Sequence, residues 1–285
     1  QSSNTITIPN TVSSLITCTY TNTRKSATLR LAKAWGANSI SGNVANIGAT
    51  TGLINNTSAL TSTASTNTNG TAVTVFAGET ATLPAETMST GTLANYTTTL
   101  SCDNGVTPSG TNGQSSNTIT IPNTVSGLIT CTYTNMRIAQ NLTLAKQWTN
   151  GVNGHTANVT TTGGINNATV SSTSTGNNTT TGTAVTVYAD EVITLPVETF
   201  GGGASASDYN TTLSCTGGST LANGAVGRSV TISNSAAATT CTYTNAKLPT
   251  ITITKITNGG VGSFDFTGTN GFANQTITTV SSGVG

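Results

Sequence analysis

Three kinds of polar side chain recur at fixed places in this sequence, and together they could form an amide. Of the five lysines, three occupy one repeated context: Lys33 in LRLAKAW, Lys146 in LTLAKQW and Lys255 in ITITKIT. Strand alternation puts Leu29, Leu31, Lys33 and Trp35 on one face, and Leu142, Leu144, Lys146 and Trp148 likewise, so these lysines project from apolar faces. Burial there disfavours the ammonium and moves it towards a neutral, nucleophilic amine. In the recurring CTYTN segment, Cys131, Tyr133 and Asn135 share a parity, as do Cys241, Tyr243 and Asn245. An inward Cys therefore implies an inward Asn.

The third group is Glu86 in TLPAET and Glu198 in TLPVET, two of only eight acidic residues. A buried amine, a buried carboxamide and a buried carboxyl group are what an intramolecular isopeptide bond requires. The amine attacks the Asn side-chain carbonyl, while a Glu kept protonated by burial hydrogen-bonds that oxygen and shuttles protons as ammonia leaves. A buried Lys–Glu salt bridge is the competing reading. Simple alternation sets Glu198 out of phase with Leu195 and Val197, so it faces inward only if Pro196 or a bulge shifts the register.

The elements that position these groups are set by an internal repeat. Residues 1–22, QSSNTITIPNTVSSLITCTYTN, return at 114–135 with a single change, Ser14 to Gly127, and a diverged TTCTYTN ends at Asn245. Two complete units are expected at 26–135 and 139–245. Flanking them are the closing strands of a preceding unit at 1–22 and the opening strands of a following one at 248–285, as in a mature or cropped piece of something longer. A unit of about 110 residues is an ordinary domain size.

About a quarter of the residues are Thr, with Val, Ile and Leu interspersed at period two, while Glu, Lys and Met are scarce. That composition favours strands. Seven are expected in the second unit: LTLAKQW, HTANVTTT, ATVSSTST, TAVTVYA, VITLPVE, YNTTLSC and TTCTYTN, separated by Gly and Asn turns. The fold class is all-β, tandem antiparallel β-sandwiches arranged as beads on a string. The short junctions carry Arg24, Lys25, Arg137 and Lys247, whose charges are expected to keep the seams hydrated.

Five cysteines fall as Cys18, Cys102, Cys131, Cys215 and Cys241. Cys102 with Cys131 and Cys215 with Cys241 are the natural disulfides, one per unit, leaving Cys18 unpaired in this segment. Zinc is the alternative, but one His and no CxxC speak against it. Persistent disulfides imply an oxidising, extracellular or periplasmic setting.

These residues resemble the Cna protein B-type domains, also called SpaA-like or prealbumin-like, of bacterial surface proteins and pilins. The resemblance rests on Lys in the first strand, an E-T box (LPAET and LPVET) and Asn near the end of the last strand, and covers most of each unit. After the Glu the family's box usually continues Ala-Pro-x-Gly-Tyr, whereas Met88 or Phe200 and Gly-rich text follow here. It implies a seven-stranded sandwich with reversed immunoglobulin-like topology and a Lys–Asn cross-link with Glu as catalyst. Carried over, the sets are Lys33, Glu86 and Asn135, and Lys146, Glu198 and Asn245. Lys255 would start a further set and Asn22 would end an earlier one.

The remaining features exclude other classes. Only 6 % of residues are charged and the net charge is +1, which gives no electrostatic basis for binding nucleic acid. No run approaches a membrane span, so a soluble chain is expected. His155 stands alone in a Gly/Asn turn and reads as a solvated loop residue, and Asp190 with Glu191 as a solvated acidic pair on one unit only. Trp35 and Trp148 read as core rather than sugar-stacking platforms. Sequons at Asn95 and Asn210 follow from the abundance of Asn and Thr. No phosphate loop, calcium repeat, cofactor site or enzyme triad is visible.

The reading that follows is a structural one: an extracellular stalk or filament segment of a bacterial surface protein, with neighbouring repeats as partners and lateral or end-to-end self-assembly through exposed strand edges. The alternative is an adhesin module recognising a host protein or glycan through inter-strand loops. That would call for exposed aromatic clusters in the loops at 36–52 and 151–164, which the sequence lacks.

Overall fold

The computed structural model of the chain describes residues 5–221, 228–269 and 272–280. The outermost parts of the expected flanking fragments, 1–4 and 281–285, lie outside the described residues. In the first repeat the strands are β1 (Ser26–Trp35), β2 (Val44–Ile47), β3 (Leu60–Thr63), β4 (Thr68–Asn69), β5 (Val73–Phe76), β6 (Thr80–Leu83), β7 (Glu86–Thr90), β8 (Tyr96–Cys102), β9 (Asn117–Thr120) and β10 (Leu128–Arg137). The second repeat follows with β11 (Ala139–Thr149), β12 (Thr156–Thr160), β13 (Thr169–Thr173), β14 (Asn178–Thr181), β15 (Val185–Tyr188), β16 (Val192–Leu195), β17 (Thr199–Gly201), β18 (Tyr209–Gly217), β19 (Thr220–Leu221), β20 (Arg228–Thr231) and β21 (Thr239–Lys247). A hairpin of β22 (Ser263–Phe266) and β23 (Gln275–Thr278) lies near the C-terminus.

Each repeat has one large sheet. In the first its order is β4-β1-β10-β8, with β5 also on β1; in the second it is β14-β11-β21-β18, with β15 on β11. The opposing layer consists of β3-β2-β7 and β6-β9 in the first repeat, and of β13-β12-β17 and β16-β20-β19 in the second. The sheets are antiparallel except that the first and last strands of each repeat run parallel, Leu29 beside Ile129 and Leu142 beside Thr239. Parallel neighbours need a crossover of at least about a dozen residues, and here nearly the whole repeat supplies it.

The core follows from alternation. On β1, Leu29, Leu31 and Lys33 are buried, and on β10, Ile129, Cys131, Tyr133 and Asn135 are each fully buried. The main apolar cluster of the first repeat takes in Leu29, Leu31, Leu83, Leu100 and Tyr133, while a smaller one gathers Trp35, Ala45, Ala64 and Tyr96. Along β1 the boundary between them falls at Lys33. The second repeat repeats the plan, with Leu142, Leu144 and Tyr243 in one cluster and Trp148, Ala157 and Tyr209 in the other.

Two local readings are corrected by the structure. VITLPVE is a strand only as far as Leu195; the next strand begins just beyond it at Thr199, and the two join different sheets, β16 with β20 and β17 with β12. The strand Arg228–Thr231 and its first-repeat counterpart Asn117–Thr120 are additional to the expected seven; each is only four residues long, with one inward apolar side chain, Val230 and Ile119 respectively. Residues 5–22, whose text matches 118–135, are exposed and form no strand. The matching segment β10 draws its pairing from β1 and β8, and residues 5–22 have no such neighbours among the described residues.

Candidate functional site

Lys33 lies on the inward face of β1, its side chain fully buried, with Nζ 3.3 Å from Glu86 Oε1. Its ammonium also donates to the carbonyls of Ala34 (3.1 Å) and Tyr133 (3.3 Å) and stands 4.5 Å from the centre of the Trp35 ring. Burial draws this amine down from its ordinary 10.5 to about 8, against the opposing pull of the Glu86 charge. Burial likewise raises the Glu86 carboxyl, opposed by the Lys33 charge and the hydrogen bond from Asn135. Asn135 completes the set, donating from Nδ2 to Glu86 Oε1 at 2.7 Å, while Asn135 Oδ1 and Glu86 Oε2 are buried without a hydrogen-bond partner among the described residues.

The second repeat buries the same three residue types and pairs the lysine with the glutamate, but lacks the Asn–Glu hydrogen bond. Lys146 Nζ lies 3.1 Å from Glu198 Oε1, with side-chain exposures of 0 % and 1 %, and 4.5 Å from the Trp148 ring centre. It donates to the carbonyls of Gln147 (3.2 Å) and Tyr243 (3.4 Å), and burial lowers its pKa, opposed by Glu198. Asn245 is fully buried, and neither atom of its carboxamide has a hydrogen-bond partner among the described residues.

The inward turn of the glutamates has a definite cause. Leu195 is buried, Val197 is 88 % exposed and Glu198 is again inside, so the phase flips between Pro196 and Glu198. The change of sheet achieves this. A tyrosine fixes the break: Tyr133 donates its hydroxyl to the Pro84 carbonyl (2.7 Å) and Tyr243 to that of Pro196 (2.8 Å). Burial raises both phenols. The neighbouring tryptophans are fixed too, with Nε1 donating to Ser62 Oγ (3.1 Å) and Ser172 Oγ (3.0 Å).

The sulfurs of Cys102 and Cys131 are joined, as are those of Cys215 and Cys241, each pair directly opposed on β8–β10 and β18–β21. Cys18 is a free, exposed thiol. Neither Lys255, whose amine lies 4.4 Å from the Phe264 ring centre, nor the exposed Asn22 joins a buried set.

Other readings change. His155 is not a free loop residue: it is half-buried, and Nδ1 shares a 2.7 Å hydrogen bond with the Tyr209 hydroxyl. In the first repeat Asn43 meets Tyr96 in the same way. Glu191 is buried rather than solvated, and Glu79 is its counterpart, so the acid is not confined to one unit. Among the described residues no cluster of His, Cys, Asp and Glu could hold a metal, and no helix is long and apolar enough to cross a membrane.

A sandwich whose first and last strands run side by side, with a buried lysine and asparagine on that pair and a glutamate from the opposing layer, defines the class of prealbumin-like domain. The family model for the prealbumin-like fold domain of the SpaA type matches residues 31–137 and again 139–247, more than half of the sequence, and the chain belongs to this family. No curated protein matches the sequence significantly. Among solved structures the chain is similar to the major pilin of Streptococcus pyogenes, at 12 % identity over 79 % of this chain and 99 % of that one, TM-score 0.37. A C-terminal fragment of the pilus adhesin SpaC from Lactobacillus rhamnosus GG shows 10 % identity over 79 % and 99 %, TM-score 0.36. An adhesin from Mobiluncus mulieris, described as containing intramolecular disulfide, isopeptide and ester bond cross-links, shows 11 % identity over 74 % and 88 %, TM-score 0.31.

Proposed function

We propose that this chain is a load-bearing segment of an extracellular stalk or filament on a bacterial surface, in which each repeat is closed by a Lys–Asn isopeptide bond as well as its disulfide. The units are taken as 26–135 and 139–245, with 1–22 and 248–285 belonging to neighbouring repeats of the same kind. The observation that carries this is the contact of Glu86 Oε1 with both Lys33 Nζ and Asn135 Nδ2 in a site closed to water.

The chemistry is a transamidation. The neutral Lys33 amine adds to Asn135 Cγ, forming the new C–N bond; the bond to Nδ2 breaks, and the amine's proton passes by way of the Glu86 carboxyl to the leaving ammonia. With Glu86 protonated, the Asn135 carboxamide turned over accepts from it through Oδ1, an atom otherwise buried without a partner. The raised Glu86 and lowered Lys33 favour the protonation states this requires. The same groups around Lys146, Glu198 and Asn245 support the reaction in the second unit.

The strand arrangement supports the mechanical role. Tension applied at Ser26 and Arg137 shears the parallel β1–β10 pair, so its ladder bonds resist together. A Lys33–Asn135 bond would carry that tension past residues 34–134 altogether. The test is intact mass after reduction: one missing ammonia per unit is expected, with the second deficit restored by Lys146→Ala. A full, undiminished mass leaves two buried salt bridges and rejects the cross-link.

A further inference from the structure

The seam between the repeats is built rather than hydrated. Only Ile138 separates β10 from β11, and its backbone bonds both ways: N–H to the Asn95 carbonyl (2.9 Å), C=O from the Ala189 N–H (2.8 Å). Arg137, its side chain 8 % exposed, donates through Nε to the Ala189 carbonyl (2.7 Å) and through Nη1 to the Asn38 carbonyl (3.2 Å). Its guanidinium lies 5.9 Å from the Tyr188 ring centre and 3.9 Å from Glu191 Oε1, a buried oxygen with no hydrogen-bond partner among the described residues.

The first repeat carries a related but more open arrangement at its own leading edge, where the Arg24 side chain is 51 % exposed. Arg24 donates to the Ala77 carbonyl (2.8 Å), lies 5.3 Å from the Phe76 ring centre and pairs with Glu79 at 4.0 Å. The Lys25 carbonyl accepts from the Ala77 N–H (2.9 Å), as that of Ile138 does from Ala189. In both repeats the glutamate also shapes the hairpin, Glu79 Oε2 accepting from the Phe76 N–H and Glu191 Oε2 from the Tyr188 N–H. Arg24, Arg137 and Lys247 each stand two residues after the closing Asn of CTYTN.

We infer that the hairpin made by Tyr188, Ala189 and Glu191, like that of Phe76, Ala77 and Glu79, is a socket for the basic residue two positions after the closing Asn of the preceding repeat, and that its occupation fixes the angle between repeats. An aromatic wall, a carbonyl and a buried carboxylate select a planar cation. The one-residue link leaves that cation little choice of approach. Because Arg137 also holds the Asn38 carbonyl of its own repeat, it locks both bodies at once. Lys247, at the same position in the second repeat, is not a planar cation and pairs instead with Asp208 of its own repeat (3.2 Å).

The test is a distance distribution between spin labels at Ser101 and Asn158, one on each repeat, installed through non-natural residues that spare the cysteines. The parent chain should give one narrow maximum. Arg137→Ala and Glu191→Gln should each broaden it, while Glu79→Gln, which alters only the other socket, should not. If Arg137→Ala does not fold, Glu191→Gln decides alone. A broad distribution in the parent, or a narrow one in Glu191→Gln, overturns the inference.

Discussion

The Tyr133 hydroxyl bonds the Pro84 carbonyl two residues ahead of Glu86, so a side chain of the last strand holds the break that turns the carboxylate inward. Tyr133→Phe leaves a carbonyl without its partner and should destabilise the first repeat by about 1–2 kcal/mol. It should also slow closure of the proposed Lys33–Asn135 bond relative to the proposed Lys146–Asn245 bond within the same molecule. Chemical denaturation and peptide-resolved mass spectrometry check both.

The two sites act independently in this account. Glu86→Gln keeps the shape of the side chain but removes the proton carrier, and should retain one ammonia in the first unit while the second still loses its own. Loss from both units would show that the carboxyl is dispensable.

Asn135→Ala yields a first repeat that cannot cross-link and still contains the buried amine. Lys33 holds its proton less firmly folded, at about 8, than at its ordinary 10.5. Between those values the unfolded chain binds more protons, so stability should climb as pH rises from 8 towards 10, and the penalty of the buried ammonium is fully present below that window. Urea midpoints of Asn135→Ala should show the climb relative to the double variant that also carries Lys33→Met. Parallel pH profiles for the two would contradict it.

The disulfides and the proposed amide bonds should separate by assay. Breaking Cys102–Cys131, which closes a 29-residue separation, should cost about 3.5 kcal/mol in an otherwise unlinked repeat on the chain-entropy model. Under force the same loss should be silent while Lys33 and Asn135 are joined, since both cysteines lie between them in the sequence. In Asn135→Ala, reduction should lengthen the unfolding step by the residues from 102 to 131. Single-molecule extension with and without reductant measures it.

Alternation along β1 and β10 was enough to put Lys33 and Asn135 inside, because both strands are regular and apolar on one face. It failed at Glu198, where the phase changes as the chain leaves one sheet for another, an event decided by pairing partners distant in sequence. The parallel neighbour relation of β1 and β10 is equally non-local. Arg137 and Glu191 read as surface charges because one lies in a short junction between units and the other beside Asp190 in a turn. Their recurrence as Arg24 and Glu79 was the signal available, and it becomes meaningful only once hairpin and strand end are seen to meet.

Side-by-side parallel terminal strands also decide what duplication does to such a molecule. The backbone comes in at one pole of a repeat, at Ser26, and departs from the opposite pole, at Arg137. Every copy inserted therefore adds its own height instead of doubling the chain back. In the proposed stalk, length would be proportional to copy number, a quantity that unequal recombination between near-identical stretches such as 1–22 and 114–135 can alter in a single event.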